Sequence, residues 1–153
     1  MWHRSVDFLN APAGDEHNYA EQILDVDADL VITEFVNDCS LEDPTAFNNA
    51  YDTIRKDLQS RQREWIICTP HLILPKWMGL TSPKGLEHDP RKFVEHLHAF
   101  TREHHIALAD ASLRWCHLWK EAIPYTSLLT NAINHPDSRG MQIYADAILA
   151  LFP

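Results

Sequence analysis

Apolar residues along this chain follow two alternating rhythms. Leu30-Val-Ile32 with Phe35-Val36, Trp65-Ile-Ile-Cys68 and Ile106-Ala-Leu-Ala109 are short runs bounded by polar or turn residues. Runs that read apolar on both faces suit parallel strands covered by helices on both sides. Between and after them, apolar residues recur at helical spacing: Phe47, Tyr51, Ile54 and Leu58, then Phe93, Leu97 and Phe100. Leu113, Trp115, Cys116, Leu118 and Trp119 make a helix from Ser112 to about Glu121 apolar on more than one side. Ile143, Ala147, Ile148 and Leu151 are the expected buried face of a last helix from about Ser138 to Phe152. Aromatic residues at such spacing read as core.

Start and stop signals sharpen the picture. Asp43 before Pro44 is a cap and first-turn pair, and Pro90 opens the third long helix. Nearer the N-terminus, Ser5-Val-Asp-Phe-Leu9 alternates like a short strand that Pro12 and Gly14 break, and Asp15 is placed to cap a helix to about Leu24. Strand, loop, helix, strand is the unit of a parallel sheet. The expectation is therefore an α/β fold, a parallel sheet with helices on both faces.

Two long connections interrupt the pattern. Loops beyond about 12–15 residues in a compact domain are usually functional or disordered. His71–Asp89 contains Trp77, Met78 and Leu80, which want a surface to cover, so this stretch reads either as a lid or pocket wall or as irregular packing. Ile123–Asp137 is dense in polar side chains.

Composition narrows the partners. At 153 residues, 45% hydrophobic and 23% charged, one domain spanning 1–153 with a substantial core is expected. A formal charge of −9 without a basic stripe argues against nucleic acid. Cys39, Cys68 and Cys116 form no paired motif and read as small buried hydrophobes in a reducing compartment. No run is long and apolar enough to span a membrane, and the first residues lack the apolar core of a signal peptide, so a cytoplasmic location is expected.

Candidate chemistry lies at the expected strand ends. Asn37 follows the first long apolar run, where ligands sit in open α/β sheets, and its amide can donate to an oxyanion, although taken alone Asn37-Asp38 reads more simply as turning the chain and capping the next segment. Gly14 permits close approach of backbone to a ligand. His135, held by Pro136 before the last helix, is placed for general-base work. Glu95-x-x-His98 could put two metal ligands on one helical face, although no second such motif appears and solvated helix histidines explain the spacing better.

Taken together, Asn10-Ala-Pro-Ala-Gly14, Phe35-Val-Asn37-Asp38 and Asn134-His135-Pro136-Asp137-Ser-Arg-Gly140 resemble, in order and over essentially the whole chain, blocks of the SGNH (GDSL) esterase/lipase family. The resemblance implies a flavodoxin-like three-layer α/β/α fold that hydrolyses acyl or acetyl esters. It implies His135 as general base, with Asn37 and the Gly14 amide as oxyanion donors. The substrate would be a small-molecule or carbohydrate ester, with no metal or organic cofactor. Three positions depart from the family pattern. Phe35 replaces a glycine. Ala132 stands where an aspartate usually orients the histidine, leaving Asn131, Asn134 or a backbone carbonyl for that task. The first block, a strand ending in Gly-Asp-Ser with the nucleophile, is absent, so an N-terminally shortened sheet and little or no hydrolysis are expected of the chain as it stands. Ser40 is the best placed substitute, ahead of Ser5, Ser82 and Ser112. The rival expectation is a non-catalytic binding module that kept the sheet and lost the serine.

Overall fold

The computed structural model describes residues 4–40, 43–82 and 86–153. Three parallel strands, β1 (Leu30–Thr33), β2 (Glu64–Cys68) and β3 (Ala107–Ala109), pair in that order. Val31 lies opposite Trp65, and Ile66 opposite Ala107. The α-helices are α1 (Ser5–Asn10), α2 (Pro44–Ser60), α3 (Lys92–His104), α4 (Ala111–Lys120) and α5 (Ser138–Leu149).

Alternation along the strands sorts the core into two layers. Val31, Trp65 and Ile67 face α2 and α3, whose Phe47, Tyr51, Leu97 and Phe100 fill that side. Ile66, Cys68 and Ala109 face α4 and α5, meeting Trp115, Cys116, Tyr144 and Ala147. Both crossover helices, α2 and α3, lie on one face, as successive crossovers of one hand moving in one direction along a sheet must. The result is the expected α/β/α sandwich. Asp43 caps α2 as its sequence signal requires, its Oδ1 accepting the Thr45 amide at 2.8 Å.

Four expectations are corrected. Ser5–Leu9 is helix, not strand: among the described residues β1 pairs with β2 alone, and a lone segment satisfies its backbone groups best within itself. Val6, Phe8 and Leu9 still pack on the core, with Phe8 5.7 Å from the Tyr19 ring and 5.8 Å from the Phe35 ring. Asp15 does not start a long helix. Its Oδ1 accepts the His17 amide in a local turn, and Asn18 Oδ1 accepts the Glu21 amide in the first turn of the short π-helix Ala20–Leu24. β1 is not covered on both faces, since Ile32 is 45% exposed at the sheet's edge. The last helix ends at Leu149, leaving Leu151 and Phe152 exposed.

Candidate functional site

The carboxyl end of β1 runs through Glu34 into a 3-10 turn, Val36–Ser40. That turn splits Asn37 from Asp38. Asp38 points inward and is fully buried, its Oδ1 accepting the Ser5 amide at 2.9 Å, so it pins α1 to the sheet. Burial pushes its carboxyl pKa up, against the hydrogen bonding from Ser5 and Tyr51. Asn37 lines a cavity of about 360 Å³ with Cys39, Ile73, Trp77, Met78 and Asn134. The long connection after β2 thus forms a wall of this cavity through Ile73, Trp77 and Met78, although Trp77 stays 61% exposed. Residues 83–85 of that connection lie outside the described part of the chain.

The loop carrying His135 reaches the same cavity through its neighbour Asn134. It is a tight reversal: Leu129 bridges Pro136, and the Thr130 amide donates to the His135 carbonyl at 2.7 Å. Asn131 shapes its tip by accepting the amides of Ile133, Asn134 and His135 at 3.0, 2.9 and 3.2 Å. These bonds engage the Asn131 side-chain oxygen with backbone, which orients the loop. Asp137 then caps α5, its Oδ1 taking the Arg139 and Gly140 amides at 2.8 and 2.9 Å. Gly140 is required there: a Cβ would fall 2.7 Å from the Leu128 carbonyl oxygen and 2.9 Å from Pro136 Cβ.

Behind the loop sits a closed hydrogen-bond set. His71 Nε2 is 2.9 Å from the Asn134 carbonyl, which only accepts, so Nε2 carries the proton. His71 Nδ1, 2.9 Å from Tyr144 Oη, must then accept the phenol proton, while the His71 amide donates to the same oxygen at 2.7 Å. Burial draws the His71 pKa down to about 4, which fits a ring held neutral. Its hydrogen-bonding capacity is spent on positioning the Asn134–His135 turn.

Arg91 ties the surrounding backbone together. Its guanidinium pairs with Asp89 and donates to the carbonyls of Pro70 and His71, each at 3.0 Å, and to Cys39 Sγ at 3.5 Å. Asp89 is closed to solvent in this pair. Glu34 is treated differently. Its Oε1 is shut from solvent and has no hydrogen-bond partner. Burial raises its pKa to about 7, only partly offset by Arg91 and the Val36 amide. Glu34 lines a second cavity of about 340 Å³ with His71, Asn134, Met141, Tyr144 and Ile148. Sequence reasoning passed over both Arg91 and Glu34. The available signals were an acid set in the run Leu-Val-Ile-Thr-Glu-Phe-Val, and Asp89-x-Arg91 at a helix start.

Of the three residues expected to form the site, Asn37 and His135 are on segments that converge. Gly14 is not with them. It adopts a left-handed φ of 82°, its amide donates to Glu21 Oε1 at 2.8 Å, and it lines neither cavity. Among the candidate serines, Ser5 is buried at the start of α1, and buried Ser112 donates to Asp110 Oδ1 at 3.1 Å. The Ser40 side chain lies outside the described residues. The histidines of α3 do not gather around a metal: among the described residues no group of three or more His, Cys, Asp and Glu could hold one. His98 instead pairs with Asp110 at 3.1 Å, beside a third cavity of about 510 Å³ at the end of β3. Cys68 and Cys116 are buried free thiols and Cys39 is half-buried, with burial pushing the first up to about 11 and the second to about 12.

Compared with family models, with characterised proteins and with solved structures, the chain matches none. No helix among the described residues is long and apolar enough to cross a membrane.

Proposed function

We propose that this chain carries the histidine and asparagine half of a serine ester hydrolase of the SGNH type, acting on acyl or acetyl esters. The observation that carries the reading is the meeting of the Asn37 turn and the Asn134–His135 turn on one cavity at the carboxyl end of a parallel sheet. In this reading His135 is the general base and Asn37 donates to the developing oxyanion. The wall of Ile73, Trp77 and Met78 holds the apolar part of the ester. His71 and Asn131 act through the backbone of the His135 turn and are positioning residues. The sequence holds no Gly-Asp-Ser, so the nucleophile is the element the reading must add.

The bond from the Gly14 amide to Glu21 favours a second reading, a non-catalytic binding module on the same sheet, because it occupies the other expected oxyanion donor. Labelling with a fluorophosphonate, read by intact mass, separates the two. On the hydrolase reading, the purified chain takes up little or no probe. The same chain extended at its N-terminus by a strand ending in Gly-Asp-Ser takes up one equivalent, lost in His135→Ala. A folded, extended chain that stays unlabelled removes the hydrolase reading and leaves the binding module. An adduct on the unextended chain that depends on His135 would place an activated serine within these residues.

A further inference from the structure

Glu34 is a carboxyl on the wall of an apolar cavity, and its Oε1 has no hydrogen-bond partner. Most of the other polar groups of that cavity are already committed. Both His71 ring nitrogens and the Tyr144 hydroxyl bond within the closed set described above, and the Asn134 backbone carbonyl is part of it. The Asn134 side-chain oxygen accepts from Asn131 Nδ2 at 2.8 Å. Arg91 is the cation that acts on Glu34, but its hydrogen bonds go to Asp89, to the Pro70 and His71 carbonyls and to Cys39. Glu34 Oε1 therefore remains a buried acceptor without a donor. A buried acceptor left unmatched bears its desolvation penalty without return, so anything that brings a donor is favoured there. The side chains of the rest of the lining, Val36, Pro136, Met141 and Ile148, are apolar.

We infer that the cavity between β1 and α5 is a binding site for a primary ammonium carried on a short aliphatic body, with Glu34 taking the ammonium and Met141 and Ile148 flanking the hydrocarbon. An ammonium supplies both the missing donor and the countercharge, and the chain's formal charge of −9 draws cations toward it. An alcohol supplies the donor alone, and a carboxylate brings a second negative charge. The charged groups that act on Glu34 are Arg91, which favours its ionised form, and Asp38, which opposes it. The uncharged titratable groups that feel Glu34 are Cys39, Cys68, Tyr51 and Tyr144. The inference is independent of the ester hydrolase reading, because it is tested by binding alone.

The test is titration of the isotopically labelled chain with n-pentylammonium, n-pentanol and n-pentanoate, followed by NMR at pH 6 and pH 8. Saturable shifts with the ammonium, about tenfold tighter at pH 8 as Glu34 ionises, with weaker binding of the alcohol and none of the carboxylate, are expected. Glu34→Gln should weaken the ammonium at least tenfold at pH 8 and abolish the pH dependence. Ile148→Trp, which leaves the carboxyl in place and fills the cavity, should block the ammonium. Absence of saturable binding, equal binding of pentanoate, or a folded Glu34→Gln that binds within twofold of the parent would overturn the inference. Should Glu34→Gln fail to fold, undiminished binding to Ile148→Trp would overturn it as well.

Discussion

Two carboxylates stand at the ends of the outer strands of this sheet and titrate in opposite directions. Asp110, after β3, is partly buried, yet its Oδ1 receives the Thr69 hydroxyl at 2.9 Å and the Ser112 hydroxyl and Leu113 amide at 3.1 Å each, and His98 meets its Oδ2. Burial alone would raise its pKa, but these donors, His98 foremost, hold it down to about 2. Glu34, after β1, lacks a partner on Oε1 and burial raises it to about 7. Both acids are desolvated, Glu34 the more fully, and burial raises both. The donors that meet Asp110 reverse the direction of its shift, and Glu34 has too few to do so. One strand end is a finished structural joint, and the other retains capacity for something from outside.

The residue common to both ends is Arg91, which borders the Asn37 cavity on one side and the His98–Asp110 cavity on the other. Arg91→Met should have the largest effect of any single change. It leaves Asp89 buried without its countercharge and the Pro70 and His71 carbonyls without their donor, at a cost of about 3–5 kcal/mol. Urea denaturation at pH 7 would measure this. A loss below 1 kcal/mol would mean that Arg91 does not join the two regions.

Glu34→Gln tests the contrast itself. A carboxyl whose folded pKa is raised from 4.5 to about 7 opposes folding once it must ionise. Below pH 4.5 both states are protonated and the residue is neutral to stability. Between pH 4.5 and 7 the unfolded chain releases the proton first, so stability falls as pH rises, by about 3 kcal/mol in all. The glutamine variant should therefore match the parent at pH 4 and exceed it by about that amount at pH 8. Parallel stability curves for the two proteins would show that Glu34 is not held in a desolvated site.

Gly140→Ala addresses how the His135 turn is built. The added methyl would meet the Leu128 carbonyl and Pro136, which bracket the turn, and overpacking of this kind costs about 1–3 kcal/mol. The His135 ring resonances should shift with it, whereas Met141→Ala, one residue on at an exposed position, should change stability by less than about 0.5 kcal/mol.

Legibility in the sequence followed the range of the interactions. The strands around Val31, Ile66 and Leu108 and helices α2 to α5 announce themselves through periodicity and caps such as Asp43-Pro44, because these signals are local. Ser5–Leu9 misled because its alternation is compatible with a strand only if a neighbour pairs with it, a condition no local pattern encodes. Asn37, after β1, and Asn134, in the turn before α5, line one cavity. Gly14 lies apart from that cavity, its amide bonded to Glu21, seven residues on, a contact that no periodicity encodes. Glu34, Arg91 and the His98–Asp110 pair escaped notice because their significance lies in partners gained or missing across the fold.

A small effect is expected at the finished end. His98 is partly exposed, and its hydrogen bond to Asp110 raises its pKa. A histidine whose folded pKa lies above its unfolded value stabilises fully below the unfolded value and ceases to do so as pH rises through the folded one. His98→Gln should therefore cost up to about 1 kcal/mol at pH 5.5, discounted for solvent screening, and close to nothing at pH 9. Asp110 keeps the Thr69, Ser112 and Leu113 donors in that variant, so the joint at β3 should survive. A loss of several kcal/mol at either pH would mean that His98 is indispensable to this joint, and that the two strand ends differ less than their carboxylates suggest.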